Sequence, residues 1–72
     1  MKLTPEFRDR LNQLIKERKL TKEQSIKIFN ISPKALYFAR LEGRYPTPRI
    51  INEMAQFFEV SQDYLLGLTD IK

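Results

Sequence analysis

Residues 21–41 decide how this chain folds: Thr21-Lys22-Glu23-Gln24-Ser25-Ile26-Lys27-Ile28-Phe29-Asn30-Ile31-Ser32-Pro33-Lys34-Ala35-Leu36-Tyr37-Phe38-Ala39-Arg40-Leu41. Thr21 with Gln24 three residues later forms a capping box, two side chains that each satisfy a backbone N–H at a helix start. Ile26, Ile28 and Phe29 are the apolar residues of a helix over about 22–29, and Asn30 tolerates the left-handed conformation of a helix stop. Ser32-Pro33 is an N-cap followed by proline at the first helical position, so a second helix runs over about 33–41. Ala35, Leu36 and Ala39 form its inner face. Only Asn30-Ile31-Ser32 separates the two helices. So short a link favours a sharp crossing of helices, with apolar Ile31 plugging the gap. In such a unit the second helix projects, and its outer residues meet the partner.

The flanks carry the same punctuation. Thr4-Pro5 opens a helix over about 5–18, with Phe7, Leu11, Leu14 and Ile15 on one stripe. Gly43 falls where the 33–41 helix must end. Thr47-Pro48 opens a fourth helix with Ile51, Met54, Ala55 and Phe58 on one side, and Ser61 opens a short fifth, 62–66, closed by Gly67. Tyr64 and Leu65 are expected in the core. Ile50 and Phe57 lie off the main stripe, which leaves core contact and a self-association surface both open. The Lys16-Glu17-Arg18-Lys19 run reads as the solvated end of the first helix, where cations suit the dipole. Nothing reads as a strand, and no linker divides residues 1–72. The expectation is one all-α, five-helix domain.

The chain has 72 residues with no Cys and no His, so neither a disulfide nor a zinc knot supplies stability. A chain of this size buries only about 60% of its unfolded surface, which favours short helices around one economical core. Missing cysteine fits a reducing cytoplasm. No stretch reaches the roughly 18 apolar residues of a membrane span, and Met1 to Glu6 lack a secretory apolar run. Residues 1–49 hold 12 of the 13 Lys/Arg against 5 acids, a balance of +7, whereas residues 50–72 balance at −3. A basic front suits an anionic partner such as DNA, and equally describes a solvated surface. Catalysis is not expected. Base-activated Ser or Cys chemistry lacks its His, two glycines cannot build a phosphate loop, and the carboxylates sit near helix starts or on polar faces. No cofactor, metal or small-molecule ligand is expected.

The chain resembles the Cro/repressor-type helix-turn-helix family of phage and bacterial regulators over nearly its whole length. Leu20 to Gln24 look like the family's entry to its second helix, and Asn30-Ile31-Ser32 stands where a Gly-Val-Ser turn is usual. Gly43-Arg44-Tyr45-Pro46 approximates its basic, proline-ended loop. Val60-Ser61-Gln62-Asp63-Tyr64-Leu65-Leu66-Gly67 is a close match to its C-terminal segment and the most specific signal. The resemblance implies a lambda-repressor-like DNA-binding fold with a helix-turn-helix. Within the family, the chain is most similar to the modulator-of-repression proteins of temperate phages of lactic-acid bacteria. That likeness implies a genetic-switch regulator in the host cytoplasm that engages the phage repressor in a hetero-complex and weakens its hold on operators.

The departures fall on the face that reads DNA in the family. Operator binders carry Gln, Arg, Ser or Thr there, which bond to base edges. This chain has Pro33, Lys34, Tyr37, Phe38 and Leu41 instead, with Ala39 replacing an aromatic and Arg40 an acid. Lys34 and Arg40 suit phosphates, which position a protein without specifying sequence. Tyr37 and Phe38 have three readings: inward core, contact with thymine methyls or sugars, or a protein interface of aromatics beside cations. The first function expected is capture of the repressor's DNA-reading domain through helices two and three, with Tyr37, Phe38 and Leu41 as apolar contacts and Lys34, Arg40 and Arg44 on the rim. The alternative is a Cro-like operator binder with helix 33–41 in the major groove and Lys22, Lys27, Lys34, Arg40 and Arg44 on phosphates.

Overall fold

A computed structural model describes residues 5–72, and Thr4, the expected first cap, lies outside the described residues. Five helices follow in order: α1 Pro5–Glu17, α2 Lys22–Phe29, α3 Pro33–Glu42, α4 Pro48–Phe58 and α5 Gln62–Leu65. There is no strand among the described residues. The protein is all-helical.

The local punctuation works as its chemistry requires. The Thr21 hydroxyl accepts from the Gln24 N–H at 3.1 Å, and the Gln24 side chain accepts from the Thr21 N–H at 2.9 Å. Ser32, Thr47 and Ser61 accept from the N–H groups of Ala35, Ile50 and Tyr64 and start α3, α4 and α5. Asn30 (φ 50°) ends α2 and Gly43 (φ 78°) ends α3, both left-handed. Two stops are less expected. Lys19 (φ 53°) and Glu59 (φ 59°) take the same conformation after α1 and α4, although neither is glycine or asparagine. Helix α1 therefore stops at Glu17, and the Leu20 N–H returns to the Ile15 carbonyl at 3.1 Å. Helix α5 stops at Leu65, one residue short of the expected end, and α3 runs one further, to Glu42.

One apolar cluster draws on every helix. Phe7, Leu11, Leu14 and Ile15 come from α1, Phe29 from α2, Leu36 and Ala39 from α3, and Leu65 from α5. Helix α4 contributes Ile50, Ile51, Met54, Ala55 and Phe58, so Ile50 is core. Phe57 is half-buried and sits edge-on to Phe29 and Phe58, with the Arg18 guanidinium over its ring. Arg18 also donates to the Phe58 carbonyl at 3.4 Å, so this cation serves the end of α4 as well as that of α1. Ile28 corrects the expectation for α2: it is 40% exposed. Ser25 and Phe29, one turn apart, are the buried pair of that helix, and Ile28 sits about 100° round from Phe29. The Ser25 hydroxyl is satisfied by donating to the Thr21 carbonyl at 3.0 Å.

Helix α1 packs on α3 and α5, α2 on α4, and α4 on α5. Buried Ile31 joins the core from the three-residue link between α2 and α3. With its inner side fixed against α1, α3 turns its other side outward. Among the described residues, no helix is long and apolar enough to cross a membrane.

Candidate functional site

Helix α3 carries apolar side chains on both sides. Leu36 and Ala39 face the core, and the stripe Lys34, Tyr37, Phe38 and Leu41, at spacings of three and four, lies opposite. Tyr37 is 57% exposed and Leu41 52%. Neither ring of the Tyr37–Phe38 pair enters the core cluster, which settles their placement against the inward reading. They do differ. Phe38 is half-buried, edge-on to Tyr37 with centroids 5.4 Å apart, and the Arg44 guanidinium lies 4.8 Å from its centroid. Arg44 is held there by Glu42 at 2.9 Å. The outermost apolar groups are therefore Tyr37 and Leu41, with Phe38 and Arg44 forming a stacked shoulder beside them.

The cations of the face divide by how they are held. Lys22, Lys27 and Lys34 are exposed and make no ion pair with any described carboxylate. Arg40 is different. Its Nε donates to the Asn12 Oδ1 at 2.7 Å, and the Asn12 Nδ2 donates to the Arg40 carbonyl at 2.9 Å. Half-buried and tied to α1, Arg40 is a fixed wall rather than a swinging rim cation. Pro33 is exposed at the first position of α3 and offers no donor.

An open groove of about 360 Å³ lies beside α3, lined by Asn12, Lys22, Leu36, Tyr37, Arg40 and Leu41. Lys22, Tyr37, Arg40 and Leu41 thus come together, whereas Pro33, Lys34, Lys27, Phe38 and Arg44 are not part of its lining. Asn12 was missed by sequence reasoning. It sits on α1, 28 positions from its partner, and no local pattern links the two.

A second cluster lies on another side of α1. The Arg10 guanidinium donates to the Tyr64 and Thr69 carbonyls, both at 2.9 Å, and stacks 4.0 Å from the Tyr64 ring centroid. It also reaches Asp70 at 3.4 Å. The Ser61 N–H donates to the Lys72 carbonyl at 3.2 Å, so the segment after α5 folds back on the bundle. This cluster is architectural.

Compared with known proteins, the chain matches no family model, no curated protein and no solved structure.

Proposed function

We propose that this protein is a phage genetic-switch regulator of Cro/repressor type that acts as an antirepressor. Helices α2 and α3 form its helix-turn-helix. Their outer face binds the DNA-reading domain of a partner repressor and weakens its hold on operator DNA. The observation that carries this reading is the pair Tyr37 and Leu41, both more than half exposed on the projecting face of α3. An exposed tyrosine beside Arg40 and Arg44 has the composition of a protein-interface anchor, and Leu41 adds apolar area next to it. Burying apolar area yields about 25 cal/mol per Å² before association costs.

The second reading is a Cro-like operator repressor, favoured by unpaired Lys22, Lys27 and Lys34. Those lysines suit phosphates. Base readout needs donors and acceptors that Pro33, Tyr37 and Leu41 supply poorly, and Arg40 already spends its Nε on Asn12.

Calorimetric titration of the repressor's DNA-reading domain into the protein, with a gel shift on the early promoter region, tests the proposal. The expected result is a complex that Tyr37→Ala weakens by about 1–3 kcal/mol, and release of repressor from its operator. Absence of a complex, together with salt-sensitive binding of the protein to one sequence at least about a thousandfold better than to random DNA, would establish the operator reading instead.

A further inference from the structure

The groove beside α3 has a one-sided chemistry. Tyr37 and Leu41 supply its exposed apolar surface, with Leu36, 1% exposed, behind them. Its charges are Lys22 and Arg40, and no carboxylate lines it. Most of the other arginines meet a carboxylate: Arg8 pairs with Asp9, Arg10 with Asp70, Arg44 with Glu42 and Arg49 with Glu53, whereas Arg18 turns to the Phe58 carbonyl and the Phe57 ring. Arg40 has no such partner among the described residues, and Asn12 holds its Nε. A guanidinium fixed in this way keeps its terminal nitrogens at the groove wall and loses little freedom when a carboxylate arrives. The volume, about 360 Å³, stands at the low end of the roughly 300–1,000 Å³ of small-molecule pockets and suits one or two side chains.

We infer that this groove takes a protein segment that presents an apolar side chain next to an Asp or Glu carboxylate. The apolar group packs against Tyr37 and Leu41, and the carboxylate meets Arg40 and Lys22. The inference rests on the partner-binding reading of the same face and adds the chemistry that the partner must bring. It also sets the mode of capture. A cationic groove does not imitate DNA, so an acid of the repressor domain, rather than its phosphate-binding cations, is what the groove holds. A duplex phosphate would satisfy Lys22 and Arg40 but leave Tyr37 and Leu41 without a matching apolar surface.

Two arms test it. In the first, the repressor's DNA-reading domain is titrated into wild type, Lys22→Glu and Tyr37→Ala. Lys22 is exposed at the first position of α2, where a carboxylate suits the dipole, so Lys22→Glu keeps the fold. In the second, labelled protein is titrated with a helical peptide carrying Leu and Glu four residues apart, its Glu→Lys counterpart, and a random-sequence DNA duplex. The Leu/Glu peptide is expected to shift the amides of Leu36, Tyr37, Arg40 and Leu41, and the Leu/Lys peptide to bind roughly tenfold more weakly. Lys22→Glu is expected to reverse that ranking and to weaken the repressor complex roughly tenfold. A repressor complex weakened by Tyr37→Ala but indifferent to Lys22→Glu overturns the inference and leaves the antirepressor reading standing. A repressor domain that ignores the wild type removes that reading, and the peptides then decide the groove chemistry alone. Equal binding of both peptides, binding of neither, or preferential shifts by the duplex at these residues overturns the inference.

Discussion

Asn12 of α1 and Arg40 of α3 exchange two hydrogen bonds, Nδ2 to carbonyl at 2.9 Å and Nε to Oδ1 at 2.7 Å. Each group is part-buried, and one amide side chain serves a backbone acceptor and a charged donor at once. Replacing Asn12 by Ala strands both. The expected loss is about 1–3 kcal/mol, read as a lower thermal midpoint. Asn12→Asp is expected to keep the bond to Nε and lose the one to the carbonyl, and so to fall between wild type and Asn12→Ala.

Removing Tyr37 separates binding from folding. Its ring is mostly solvent-facing, and its one aromatic contact is the edge of Phe38. Tyr37→Ala is therefore expected to change folding stability by less than about 1 kcal/mol while weakening the repressor complex. Leu36→Ala, one residue away on the inner side, is expected to cost about 2–5 kcal/mol in urea denaturation. Similar losses of stability in both would contradict this division of the helix.

Arg10 ties α5 and the segment after it to α1, through the Tyr64 and Thr69 carbonyls and the face of Tyr64. A lysine has no planar fork to span them. Arg10→Lys is expected to cost about 1–3 kcal/mol and to raise amide hydrogen exchange in residues 68–72 well above that of α4. Unchanged exchange there would show that the segment is held by something else.

Gly67 meets α1 where no side chain fits. A Cβ added at this position would lie 2.5 Å from the Glu6 Cβ, and φ is +81°. Gly67→Ala combines a steric clash with left-handed strain of about 1–2 kcal/mol, and the expected total exceeds that strain alone. The measurement is the urea midpoint.

At Glu59 the opposite change helps. This residue ends α4 at φ 59° with a side chain open to solvent. Glu59→Gly is expected to relieve the strain and stabilise the fold by about 0.5–1 kcal/mol, after the added freedom of the unfolded chain is subtracted. A lower urea midpoint would refute this.

Helix starts were legible because a cap is a local event. Thr21, Ser32, Thr47 and Ser61 each need only a backbone N–H three residues on. The stops at Lys19 and Glu59 were illegible for the converse reason: neighbouring packing imposes the left-handed turn there on residues that do not prefer it. Ile28 misled because an eight-residue helix with three clustered apolar residues does not define one stripe. In the candidate site, spacing put Leu36 and Ala39 inside but left Tyr37 open between core and surface, and the structure turns it outward with Leu41. The fixing of Arg40 by Asn12 and the clamp of Arg10 on Tyr64 did not, since each joins residues far apart in the chain.

A cylinder greasy on two opposite sides gains almost as much by turning either one toward the interior, so oil alone does not choose the azimuth of α3. A directional polar clasp does choose, because only one rotation brings a guanidinium and its own carbonyl within reach of the same amide. In this molecule the rotation that leaves Tyr37 and Leu41 facing water is the one that lets Arg40 meet Asn12, so a residue of α1 helps to set the face that α3 presents.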